Sequence, residues 1–151
     1  MSGLKYAQCF RDLIVYQKSC ELQNEIFKLS KSFPKEETYS LTDQVRRSSR
    51  SIGANITEAW AKRRYEKHFI SKLTDLDGEQ METQHWIETA LECDYIDQKA
   101  SKNLIEKCLG IGRMLNGMMA KAEMFCGEPP RNLREESAVY FTQSGYKDTD
   151  N

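Results

Sequence analysis

Apolar residues return at helical intervals in four stretches of this chain. In the first, about Asp12 to Ser32, Val15, Leu22, Ile26, Leu29 and Phe33 share one face of a helix turning ~100° per residue. A second stripe, Leu13, Tyr16, Cys20 and Phe27, lies roughly 100–180° round the same helix. A helix apolar on two faces needs two partners. One is the bundle core; the other is expected to be a neighbouring subunit, with Leu13, Tyr16, Cys20 and Phe27 at the contact.

The stretch "SFPKEETYSLTD" breaks the pattern. Pro34 ends the first helix, Ser40 is expected to cap the second, and Asp43 favours its first turn. The second helix turns Leu41, Val45, Ser49, Ile52, Ile56 and Ala59 inward. Gly53 sits in its middle at a cost of roughly 1 kcal/mol relative to Ala, which close backbone packing or a bend would explain. The third helix, about Tyr65 to Glu92, buries Phe69, Leu73, Leu76, Ile87 and Ala90, with Gln80 and Thr83 interrupting the stripe. Buried polar groups need partners, because an unpaired one costs ~1–3 kcal/mol. Asp97 is the expected cap of a fourth helix carrying Leu104, Cys108, Ile111, Leu115, Met118, Met119 and Ala122. Gly110, Gly112 and Gly117 fall within its helical pattern and read as close-packing positions. The methionines there read as fillers of core and interface gaps.

Short connections between long helices favour antiparallel neighbours. The expected fold is therefore all-α, an antiparallel up-down-up-down four-helix bundle over residues 1–126. Residues 127–151 are polar, interrupted by Pro129 and Pro130, and expected to form a largely disordered tail with a short docked piece around Val139 to Phe141. Three prolines and eight glycines in 151 residues argue against a turn-rich all-β fold. No apolar run reaches the ~18–20 residues that span a bilayer, and Met1 to Phe10 lacks the apolar core of a signal peptide. The five cysteines are odd in number and scattered, without a CxxC pair. Reduced thiols and a cytoplasmic location are expected, with no membrane partner.

Charge changes the picture in one place. Thr42–Arg64 holds six basic residues against two acidic ones; Tyr65–Asp97 holds two against nine. The formal net charge of −1 thus conceals a basic helix followed by an acidic one. Two readings of Arg46, Arg47 and Arg50 follow. They can pair with Asp75, Asp77, Glu79, Glu82 or Glu88, each exposed pair contributing only ~0–1 kcal/mol. Alternatively, with Lys62, Arg63 and Arg64 they form a stripe for phosphates, beside Tyr65 as a surface on which a base could stack.

Candidate chemistry is sparse. Glu82 and His85 make a Glu-x-x-His motif, which in di-iron bundles occurs twice and with two further carboxylates. This chain has it once, ~120–180° from the Leu76/Ile87 face, so both are expected at the surface. His68 lies on another face. Nucleophile elbows, phosphate-cradling glycine loops and zinc spacings are absent. No catalytic residue, cofactor or metal is expected.

Three segments, "FRDLIVYQKSCEL", "FPKEETYSLTDQVRRSSRSIGANITEAW" and "METQHWIETALECDYI", resemble the bacterial four-helix-bundle proteins encoded in intervening sequences of large-subunit ribosomal RNA genes. They are also similar to the accessory proteins of diversity-generating retroelements. The resemblance spans about Phe10 to Phe125, and its most specific element is the D-Q-[LV]-R-R…S-I-x-x-N-I-x-E block, here Asp43 to Glu58. Gln44, Arg46, Arg47, Ser51, Ile52, Asn55, Ile56 and Glu58 carry it in helix two, and Glu82, Thr83 and Gln84 in helix three. Ala59, Gln80 and Gly53-Ala54 depart from the usual residues. The resemblance implies a non-enzymatic bundle assembling as a homopentameric ring, and in the retroelement branch a scaffold binding nucleic acid and a reverse transcriptase. The expected partners are thus further copies of the chain, and RNA, DNA or a nucleic-acid enzyme met through Arg46, Arg47, Arg50, Lys62, Arg63 and Arg64. A purely structural or protein-binding bundle, its arginines used in salt bridges, is the alternative. Asn55, Gln80 and Thr83 are expected to form a buried polar layer whose members satisfy one another and fix helix register.

Overall fold

The computed structural model describes residues 6–127. Within them lie four long helices and no strand: α1 Ile14–Ser30, α2 Asp43–Ala61, α3 Glu66–Glu92 and α4 Gln98–Ala120. Short helical turns at Phe10–Asp12, Lys35–Glu37, Thr38–Thr42 and Ala122–Met124 complete the described part. The expected tail at 127–151, with the piece around Val139 to Phe141, lies outside the described residues apart from Gly127. No helix among the described residues is long and apolar enough to cross a membrane.

The inward faces follow the periodicity. Val15, Leu22 and Ile26 of α1, Val45, Ile52, Ile56 and Ala59 of α2, Phe69, Leu73, Leu76 and Ile87 of α3, and Leu104, Cys108, Ile111 and Leu115 of α4 form one buried core. Small residues close the seam between α1 and α2. A Cβ on Gly53 would stand 3.2 Å from the Ser19 hydroxyl and 3.8 Å from the Tyr16 ring. The buried hydroxyls of Ser19, Ser48 and Ser49 donate to carbonyls three residues back on their own helices, so their protons are satisfied locally despite burial.

The helix ends depart from expectation in two places. Asp12 does not begin α1. Its carboxylate accepts the N–H groups of Gln8 and Cys9 at 2.9 and 3.2 Å, closing a separate turn, and those bonds hold its pKa below the ordinary value. Ser40 does not cap α2. Its hydroxyl donates to Glu37 at 2.9 Å, inside a π-helical turn that runs directly into the helix and buries Leu41 and Thr42. Burial of those two side chains outweighs the capping preference of a serine. Asp97 does cap α4, accepting the Ala100 N–H at 2.7 Å. Asp94, with φ 61°, ends α3 in the left-handed conformation, and the Tyr95 N–H reaches back to the Ala90 carbonyl at 2.9 Å.

Cross-helix contacts run in a fixed order. Arg47, Ser48 and Glu58 of α2 meet Glu82, Thr83 and Lys72 of α3. Arg46 meets Ser30 of α1, and Glu25 of α1 pairs with Lys107 of α4. Between α3 and α4, a Cβ on Gly112 would come within 3.0 Å of the Gln80 amide nitrogen, so a side chain there would displace it. Gly117 has nothing within 4 Å and Gly110 only its own Arg113, so neither is a close-packing position between helices.

Candidate nucleic-acid interface

The six basic residues are not one patch. Arg46 and Arg47 are consecutive, hence ~100° apart around α2, and the helix sends them to opposite flanks. Arg47 turns to α3, where one guanidinium nitrogen lies 2.6 Å from Glu82 Oε1 and the other 3.8 Å from Glu79 Oε2. The Trp86 indole N–H also donates to Glu82, at 3.2 Å. Burial pushes the Glu82 pKa up, but the hydrogen bonds from Trp86 and Arg47 outweigh it and hold the carboxyl below its ordinary value. Glu79 behaves oppositely. Burial, then the neighbouring Glu82 charge, raise its pKa against the pull of Arg47, and its Oε2 is buried with no hydrogen bond.

Arg46 and Arg50 turn to α1. Their guanidinium carbons stand 4.8 and 5.4 Å from the centre of the Phe27 ring, and the Lys31 ammonium stands 4.7 Å from it. Arg46 also donates through Nε to the Ser30 hydroxyl at 2.8 Å. Among the described residues neither Arg46 nor Arg50 forms an ion pair with a carboxylate. Three cations therefore share one ring. Each exposed cation–π contact contributes about 0.5–1 kcal/mol. Like charges gathered on one ring repel one another. An anion arriving here relieves repulsion that no carboxylate ion pair of Arg46 or Arg50 relieves among the described residues.

Lys62, Arg63 and Arg64 lie at the other end of α2, in its turn to α3. The run from Arg46 to Arg63 covers about 25 Å at ~1.5 Å per residue. Arg63 stacks on Trp60 at 4.0 Å and donates to its carbonyl at 2.8 Å. Arg64 lies 5.9 Å from the ring of Tyr65, which is 59% exposed and 5.4 Å from His68. Glu58, on the flank between the clusters, is held by Lys72 at 2.7 Å; that bond lowers the Glu58 pKa and raises that of Lys72.

The expected polar layer forms differently. Gln80 and Thr83 are buried, but Asn55 is half-buried and donates to the Ser51 carbonyl of its own helix at 2.9 Å. The partner of Thr83 is Ser48, at 2.9 Å, and Gln80 bonds Asp77 and Gln84. The residues expected at a subunit contact divide too. Leu13 belongs to the core, Tyr16 and Cys20 are half-buried, and Phe27 carries the cations. Sequence reasoning missed Lys31 and placed Phe27 at a subunit contact; the signal was the pair Phe27 and Lys31, four residues apart where α1 ends.

Enzyme-like features resolve into structure. Glu82 is engaged by Arg47 and Trp86, and His85 is exposed with its ring 4.7 Å from that of Trp86. Among the described residues no three His, Cys, Asp or Glu side chains gather as a metal site. Cys108 is buried, which pushes its thiol up to about 12. An apolar cavity between Ile26, Phe33, Trp86 and Leu104 holds only about 10 Å³, and a shallow groove of about 420 Å³ runs past Glu25, Lys28 and Asn103.

Fold and site together define an all-helical bundle with a cationic α1–α2 face. Residues 11–117 match the family described as 23S rRNA-intervening sequence protein, and the chain belongs to that family. It is similar to the crystal structure of a protein of unknown function from the S23 ribosomal protein family of Bacteroides thetaiotaomicron, at 30% identity and a TM-score of 0.64, covering 70% of this chain and 98% of that one. No curated protein matches the chain.

Proposed function

We propose that the protein is a non-enzymatic, self-associating scaffold that meets the phosphate backbone of a nucleic acid through its α1–α2 face. In this reading the four helices form an antiparallel up-down-up-down bundle. The order of contacts supports it: Arg47 with Glu82 and Glu58 with Lys72 pair rising positions on α2 with falling ones on α3. One observation carries the nucleic-acid reading. Arg46 and Arg50 crowd with Lys31 over Phe27 with no carboxylate ion pair to either arginine among the described residues, while Arg47 between them is engaged by acids. The alternative, arginines spent in salt bridges, fits Arg47 and not its neighbours.

Self-association is supported by apolar side chains left in solvent: Ile14, Met81 and Leu109 are 63%, 57% and 44% exposed. Assembly as a ring of five follows from the family resemblance. A cytoplasmic location is supported by five unpaired thiols. Fluorescence anisotropy with mixed-sequence RNA and DNA at low salt tests the binding. The parent and Arg47→Ala should bind, and an Arg46→Ala/Arg50→Ala variant should lose most of the affinity. Failure of the parent to bind at low salt overturns the nucleic-acid reading. Sedimentation as a single copy at high concentration overturns the ring.

A further inference from the structure

The two cationic clusters are joined by a smooth track. Arg46, Arg50, Ala54, Thr57 and Ala61 follow one another at steps of four, four, three and four, and so lie on one face of α2. Ala54 and Ala61 are exposed, and the Thr57 hydroxyl is turned back onto the Ala54 carbonyl at 2.6 Å. Between the clusters no acid lies on this line, and Glu58, one position beside it, is neutralised by Lys72. Small side chains let a polymer backbone lie close to the helix; larger or acidic ones would hold it off.

The ends of the track offer different chemistry. At the Arg46 end the Phe27 ring lies under three cations, so phosphates can be gripped there while that ring is closed to a base. At the far end Tyr65 is 59% exposed, beside Lys62 and Arg63, and its ring can take a base face. A duplex hides its base faces inside the stack; an unpaired strand presents them.

We propose that a single nucleic-acid strand lies along α2, its phosphates held by Lys31, Arg46 and Arg50 and an unpaired base stacked on Tyr65. This rests on the phosphate-binding reading above and adds strand type and polarity of grip to it. At the ~3.4 Å per nucleotide of a stacked strand, the track of about 25 Å takes roughly seven nucleotides.

The test uses fluorescein-labelled mixed-sequence RNA as a four-nucleotide strand, a twelve-nucleotide strand and a twelve-base-pair duplex. The full chain should bind the twelve-nucleotide strand more than tenfold tighter than the four-nucleotide one, which cannot reach both ends. Tyr65→Ala should weaken the long strand by roughly 5- to 100-fold while leaving the duplex unchanged. Tyr65→Phe, which keeps the ring, should restore it. Equal affinity of Tyr65→Ala and parent for the long strand, or a duplex bound as tightly as the strand, overturns this proposal and leaves the phosphate-binding reading standing. No binding by the parent to any of the three at low salt removes both.

Discussion

The hydrogen bond between Thr83 and Ser48 is a fully buried side-chain link between α2 and α3, so its removal has a calculable signature. Both residues are 0% exposed, and the Thr83 hydroxyl lies 2.9 Å from Ser48 Oγ and 2.8 Å from the Glu79 carbonyl. Thr83→Val keeps the shape and deletes the donor. It leaves a buried serine oxygen without that donor, at a cost of about 1–2 kcal/mol. Ser48→Ala leaves Thr83 its second acceptor, Glu79, and substitutes a better helix former; it should cost under about 1 kcal/mol. The double variant removes both polar groups together, which is nearly neutral relative to the larger single change. The two effects should therefore be non-additive, with a coupling about as large as the Ser48→Ala cost, between about 0.5 and 1 kcal/mol. Urea unfolding of parent, both singles and the double closes the cycle. At this chain length 1 kcal/mol corresponds to about 2–4 °C in Tm, well within calorimetric reach. Strict additivity within about 0.3 kcal/mol would refute the claim that these hydroxyls depend on each other.

Other outcomes follow from the same geometry. The Glu79 pKa is raised on folding, so the native state holds its proton longer and stability falls as pH climbs from the usual glutamate value, about 4.3, through the raised one. Glu82 is lowered, so its contribution is present above the usual value and lost as pH falls through the folded one. Glu79→Gln should accordingly gain on the parent as pH rises above about 4.3, and the deficit of Glu82→Gln against the parent should shrink as pH falls below about 4.3, as read by unfolding at each pH. Gly117→Ala fills open space at the gain of about 0.8–1 kcal/mol expected in a helix, whereas Gly112→Ala must shift the Gln80 amide, which offsets that gain, and should melt below Gly117→Ala; equal melting temperatures would contradict this. Exposed Cys93 should react with a thiol reagent at once in the native protein, and buried Cys108 only on unfolding.

The apolar stripes were legible because Phe69, Leu73, Leu76 and Ile87 share one angle on any α-helix, whatever they pack against. Gln80 and Thr83 were legible as buried because they stand on that same angle. Their partners were not, since Ser48 is silent until the α2–α3 register is known, and Asn55 had a nearer acceptor one turn away. The basic block showed its charge but not its division. Arg46 and Arg47 differ by 100°, and only the neighbours on each flank determine that one meets a ring and the other a carboxylate. Ser40 misled because capping is local, while burial of Leu41 and Thr42 is a tertiary demand that overrode it.

The central claim is that Arg46 and Arg50, and not Arg47, are open to phosphate. The salt dependence of binding to a twelve-nucleotide RNA strand tests it most directly. Replacing Arg46 and Arg50 together by alanine should flatten the slope of log K against log salt by about 1.4, two phosphate contacts at ~0.7 each for a single strand, while Arg47→Ala leaves it unchanged. A slope that falls with Arg47→Ala and not with the Arg46/Arg50 pair would contradict the account.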